Sequence, residues 1–223
     1  MSIDLVVPKE VELPTLLDEL RKLSWASADV LMAYARGGEP PYGFPKSLTV
    51  EEGGDGPVSA ADMAVNDLLI SGLKDNLAFK EWDILSEETS KEKTFQQDNY
   101  KKDWCWILDP LDGTKDFLQG SENYAVHIAL AYKKKPKIGI VLIPEKNELW
   151  FGIVGIGAWF ENRDGSKNHF SFSDRLDISK LILVSSKNHQ QSKLNNLLST
   201  LCFGETKKIG SVGCKVASIL RGE

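Results

Sequence analysis

Cysteine is scarce in this sequence: Cys105, Cys202 and Cys214 are the only three in 223 residues, widely separated and without a C-x-x-C pair. That pattern excludes a disulfide framework and points to a reducing, cytoplasmic setting. Long apolar runs are missing too, none approaching the roughly 18 residues that would cross a bilayer. The start, "MSIDLVVPKEVELP", has neither a basic region nor an apolar stretch behind it, so no signal peptide is expected. An excess of positive charge is also absent. The formal net charge is −5, which argues against non-specific nucleic-acid binding. The one basic run, "KKKPK" at 133–137, lies between two strand-like segments and reads as a hairpin turn with lysines guarding a strand end, a phosphate or nucleic-acid contact being the alternative.

What is present is an ordinary globular composition, 42% hydrophobic and 26% charged, enough for a real core in one large domain or two small ones. Residues 1–13 read as a loose arm. Over 15–36, Leu16, Leu20, Leu23, Ala26, Val30 and Ala33 fall on one face of an amphipathic helix that Gly37 and Gly38 end. "GGEPPYGFPKSLTVEEGGDGP" is dense in Gly and Pro and reads as a long loop. A second helix follows, with Ser59 as N-cap, Asp62 at the capping-box position, Val58 and Met63 spaced as a hydrophobic staple, and a stop at Gly72. From 122 to 160 short strands alternate with turns as an antiparallel meander. "LILVSS", a polar helix near 190–201, "KKIGSV" and "CKVASIL" then read as β-α-β-α. The expected organisation is an α+β part over 14–165 carrying the antiparallel sheet and a metal site, followed by a partial α/β part over 166–223.

The chemistry-bearing residues cluster at strand ends. "WDILSEE" delivers Glu87 and Glu88; "WCWILDPLDGT" delivers Asp109 and Asp112. Neighbouring strands ending at one edge would bring these carboxylates together, and such a cluster repels itself unless a cation neutralises it. Oxygen ligands without nearby His or Cys suit Mg²⁺ better than Zn²⁺. Leu111 can offer its backbone carbonyl. Gly113 and Thr114 present N–H groups at a helix start, where an anion binds well. Metal and anion cradle together point to phosphate chemistry. Each residue has a plainer reading: "DPLDG" as a turn, "EE" as a solvated pair, Asp62 as a cap.

"GPVSAADMAVNDLLISGL", "LSEET", "WILDPLDGTKDFL", "NYAVHIAL", "SSKNH" and "IGSVGCK", in this order, resemble the inositol monophosphatase superfamily of Mg²⁺-dependent, lithium-sensitive phosphatases, and within it the CysQ-type 3′(2′),5′-bisphosphate nucleotidases. The likeness covers about residues 55 to 223. It implies the layered αβαβα sandwich of the sugar and inositol phosphatases. It also implies two or three Mg²⁺ ions, about 4 Å apart where two share a phosphate. By this resemblance Glu87, Asp109, Asp112 and the Leu111 carbonyl hold metal, and Asp62 with Thr114 activates the attacking water. Gly113, Thr114 and Lys115 meet the phosphate, while Ser186, His189, Ser211 and Lys215 recognise the nucleotide. The implied reaction is in-line removal of the 3′-phosphate of adenosine 3′,5′-bisphosphate, leaving AMP, by a possible homodimer.

Two departures stand out. The family carries a lysine shortly before the "PV"; here Glu51, Glu52 and glycines occupy that region, with Lys46 the nearest substitute. The family also continues past Glu223 through a Trp-Asp pair that supplies a metal ligand, so the expectation is a fold incomplete at its C-terminal end with impaired catalysis. Other expectations are an inositol monophosphate or fructose 1,6-bisphosphate phosphatase, or a non-catalytic binding module. The haloacid-dehalogenase-type motif D-x-D-G-T, with its covalent aspartyl-phosphate, is one residue shorter than D-x-x-D-G-T here.

Overall fold

The computed structural model describes residues 6–8, 10–53, 56–75, 82–91, 102–170, 174–187, 198 and 200–223. Two helices, α1 (Leu13–Ala35) and α2 (Ala60–Asp75), lie side by side on a sheet of seven strands. Before α2 comes a hairpin of β1 (Val50–Gly53) and β2 (Gly56–Ser59), so the segment expected as a loop is partly a strand pair. The sheet runs β3 (Asp83–Ser86), β4 (Trp104–Asp112), β5 (Ala125–Tyr132), β6 (Lys135–Ile143), β7 (Glu148–Ile153), β8 (Gly157–Asn162) and β9 (Lys167–Asn168), in that spatial order. The pair β3–β4 is parallel; every other neighbouring pair is antiparallel. The expected meander is therefore present, and "KKKPK" holds the β5–β6 turn. Short helices α3 (Glu87–Lys91) and α4 (Thr114–Leu118) follow β3 and β4 directly.

Alternation along the strands separates two cores. Val126, Ile128 and Leu130 of β5, with Ile138, Ile140 and Leu142 of β6, face α1 and α2 in the main core. Ala125, Ile143 and Trp150 face the other way, against helix α5 (Val212–Leu220) through Cys214 and Ala217. Beyond α5 lies a parallel pair, β10 (Ile182–Ser186) with β11 (Glu205–Ile209). The described layers are thus helix, mixed sheet, helix and parallel strands. The helix expected near 190–201 falls largely outside the described residues. A groove of about 230 Å³ remains between α5 and β6–β8, lined by Val141, Trp150, Phe170, Val216 and Leu220 among others. Among the described residues, no helix is long and apolar enough to cross a membrane.

Several local expectations shift. The buried stripe of α1 includes Ser24 and Ser27 rather than Ala26 and Ala33. The two hydroxyls are tolerated because they donate to the carbonyls of Leu20 and Leu23 one turn back. The helix closes as a Schellman motif, Gly38 N–H reaching Ala33 O at 2.8 Å with Gly37 at φ +63°. Val6, Val7 and Val11 pack against the core, so the described part of the expected loose arm is anchored. Met63 is 41% exposed.

Gly72 does not stop α2, which continues to Asp75. Its role is close approach: a Cβ there would meet Leu23 Cδ2 at 2.1 Å. Gly72→Val is expected to force α1 and α2 apart and lower stability by about 1–3 kcal/mol, the usual cost of overpacking. Urea denaturation of both proteins checks this, an unchanged midpoint counting against the packing described.

Candidate active site

Parallel pairing of β3 with β4 sets Ser86 beside Leu108, so both strands deliver their next residues, Glu87 and Asp109, to one edge of the sheet. Between Asp109 and Asp112 the β4–β5 register slips. In a regular strand, residues three apart point to opposite faces. The bulge at Pro110-Leu111 cancels that alternation, and both aspartates turn to the same side chain, His127 of β5. Asp109 Oδ2 is 3.7 Å from His127 Nδ1, and Asp112 Oδ2 is 3.3 Å from Nε2.

The surroundings separate the two acids. Burial, followed by repulsion from Glu87 and Asp112, pushes Asp109 up to about 7 in spite of His127. Burial raises Asp112 too, but His127, the Ser211 hydroxyl and the Gly213 N–H together bring it below its ordinary value. Ser211 Oγ donates to Asp112 Oδ2 at 2.6 Å and Gly213 N at 3.0 Å. Asp112 therefore rests on the N-terminus of α5, where a negative charge is favoured. Gly213 is obligatory there, since a Cβ would meet His127 Nε2 at 2.5 Å. Burial lowers His127, while contact with Asp112, then Asp109 and Glu87, raises it overall.

Asp62 makes the third element. Its Oδ2 accepts from the Ser59 N–H at 2.8 Å and from the Ser59 hydroxyl, closing the capping box. Its other oxygen accepts from Thr114 Oγ1 at 3.0 Å, joining α2 to the start of α4 across 52 positions of sequence. Burial raises the Asp62 pKa, and the hydrogen bonds from Ser59 and Thr114 only partly oppose it. Gly113, at φ +98°, makes the turn from β4 into α4, and a Cβ would meet the Asn123 carbonyl at 2.9 Å. A raised-pKa carboxylate, a hydroxyl and a glycine turn into a helix start thus follow directly on the strand end that carries Asp109 and Asp112.

Not every residue singled out in the sequence joins this group. Lys115 and Lys46 are exposed. Lys215 folds back, its Nζ donating to the carbonyls of Ile209 and Gly210. Ser211 is the N-cap of α5 and a partner of Asp112. Ser186 ends β10, and His189 lies outside the described residues. His127 was missed, because a histidine within an alternating strand carries no mark of what stands opposite it.

The carboxylates are not free of nearby histidine as expected, since His127 stands against Asp109 and Asp112. The remaining donors are hard oxygen, and a cation would offset the burial and the repulsion that raise Asp109, so these residues suit Mg²⁺. Among the described residues no three His, Cys, Asp or Glu side chains converge as a chelating group. Asp109 and Asp112 share His127 instead. Proton and cation then compete for Asp109, giving tighter Mg²⁺ binding at pH 8 than at pH 6 by calorimetry; equal affinity would contradict the competition. In EDTA the folded form holds extra protons on Asp109 and His127. Their contribution to stability is present at low pH and lost as pH rises through about 7, so the melting temperature is expected to fall from pH 6 to pH 8.

Comparison with known proteins gives the family and the fold. A model of the inositol monophosphatase family matches residues 16–223. The 3′(2′),5′-bisphosphate nucleotidase CysQ of Shigella flexneri is 30% identical over 196 residues, covering 88% of this chain and 73% of that protein. A Thermotoga maritima IMPase superposes with a TM-score of 0.72 at 21% identity, over 93% of this chain and 73% of that one. An IMPase/NADP phosphatase solved with Mg²⁺ and phosphate gives 0.68 at 19% identity, over 94% and 70%. The mixed sheet with its flanking helices is the fold of these proteins, and the chain belongs to the inositol monophosphatase family.

Proposed function

We propose that this chain is a Mg²⁺-dependent phosphomonoesterase of the 3′(2′),5′-bisphosphate nucleotidase type, converting adenosine 3′,5′-bisphosphate to AMP. The observation that carries the reading is the Thr114–Asp62 hydrogen bond at the edge of the Glu87, Asp109 and Asp112 group. The likeness to CysQ nucleotidases supports the substrate.

Glu87, Asp109, Asp112 and the Leu111 carbonyl would hold Mg²⁺. When bound, the ion neutralises the carboxylates, draws charge from the phosphate and makes water more acidic. Thr114 Oγ1 has one proton and two acceptors in reach, Asp62 Oδ1 and Leu111 O at 3.1 Å. The charged carboxylate is the stronger acceptor, which leaves the hydroxyl's lone pairs for water. As the water oxygen bonds to phosphorus and the ester P–O bond breaks, the water's proton passes through Thr114 to Asp62, and the departing 3′-oxygen takes a proton from solvent water to become the hydroxyl of AMP. The elevated pKa of Asp62 suits it to keep that proton. The N–H groups of Gly113 and Thr114 orient the phosphate and meet its growing charge. With Asp109 engaged as a metal ligand in this reading, its carboxylate is a poor nucleophile, which disfavours a covalent aspartyl-phosphate. Free cysteines agree with a cytoplasmic setting.

The test is Mg²⁺-dependent phosphate release from adenosine 3′,5′-bisphosphate, with and without lithium and beside inositol 1-phosphate. Lithium-sensitive release that prefers the nucleotide is expected; preference for the inositol ester would overturn the substrate. Asp62→Asn should lower kcat by about 10²–10⁴-fold, the range of general-base contributions, with KM nearly unchanged.

A further inference from the structure

Asp116 is fully buried, yet the mechanism above gives it no task. It lies in the first turn of α4, two residues after Thr114. Lys187, the residue directly after β10, places Nζ 3.0 Å from Asp116 Oδ1 and 3.0 Å from Gln119 Oε1. The other face of the carboxylate abuts the loop from β11 into α5: a Cβ on Gly210 would come within 1.7 Å of Asp116 Oδ2. One buried acid on α4 thus touches the chain just beyond the end of each strand in the parallel pair. Lys187 keeps a side-chain exposure of 39%, so its own burial does not require this position; Asp116 does. Removing one partner of a pair whose carboxylate is buried is costlier than losing a surface pair.

We infer that Asp116 and Lys187 form a positioning pair that locks the end of β10, and with it Ser186, to the helix whose start holds the phosphate. This rests on the proposed reaction for its consequence: the pair sets the spacing between the reacting phosphate and groups at the end of β10, and so the selectivity for a bisphosphate over a monophosphate. Neither residue touches the reacting atoms. Asp116 fits the Gly210 backbone and Lys187 spans the gap, so shortening or neutralising either loosens the same joint.

Asp116→Asn, Lys187→Met and the double variant test this. In metal-free protein, hydrogen exchange over 113–118 is expected to quicken about tenfold in either single variant, with α1 unchanged and the double variant no faster than the worse single one. Exchange that stays at the parent rate, or rises equally in α1, would overturn the joint. In turnover, Asp116→Asn retains the lysine charge. Its preference for adenosine 3′,5′-bisphosphate over adenosine 3′-monophosphate should nevertheless drop about tenfold, mostly in KM. If Asp116→Asn keeps that preference while Lys187→Met loses it, the lysine binds phosphate directly and the positioning role is refuted. If the parent hydrolyses neither ester, the proposed reaction falls and the exchange pattern alone decides the joint.

Discussion

Negative charge gathered at one sheet edge is the constraint around which this structure is arranged. Glu87 and Asp109 reach one edge because two strands end in parallel, Asp112 follows past the bulge, and Asp62 is tied in through Thr114. Buried carboxylates repel and are poorly solvated, so each needs a compensating partner. Asp112 has the N-terminus of α5 and His127; Asp62 has Ser59 and Thr114; Asp116 has Lys187. Asp109 is the least compensated, and its pKa rises accordingly. That imbalance is what a cation site requires, since the carboxylate most in need of positive charge binds a cation most readily.

The compensation also joins the elements. Ser211 and Gly213 dock α5 on β4 by holding Asp112, and Lys187 docks the end of β10 on α4 by holding Asp116. These polar contacts occur where α5 meets the sheet through a small apolar cluster, while the opposite face carries the much larger core with α1 and α2. The strength of the main core lets β3, β4 and β5 serve as a fixed frame. The side bearing α5 and the parallel pair is held more by specific hydrogen bonds, which makes its placement sensitive to single side chains.

Much of the fold was legible along the chain. The α1 and α2 periodicities, the meander from β5 to β8 and the final strand-helix unit all stand where hydrophobic spacing put them. The exceptions have local causes. A glycine that reads as a stop at 72 is a contact point, because interhelical distance leaves no trace in propensity. A Gly- and Pro-rich stretch conceals the β1–β2 hairpin, since its pairing is made of turns and short strands. Ser24 and Ser27 were unexpected on the buried face because their hydroxyls are satisfied within the helix itself.

For the site, "LSEE" and "DPLDGT" marked Glu87, Glu88, Asp109 and Asp112 because they follow apolar strands, whereas the pairing of Asp62 in "SAAD" with Thr114 was expected only from the family resemblance. Which of them meet, and through what, was decided only by the tertiary structure. The bulge that turns Asp109 and Asp112 to one side, the imidazole of His127 between them, and the reassignment of Ser211 and Lys215 to neighbouring backbone and carboxylate depend on register between strands far apart in sequence. A side chain's type is written in the chain, but its neighbour is set by which strands pair and by a one-residue slip in that pairing, and such long-range pairing has no local signature.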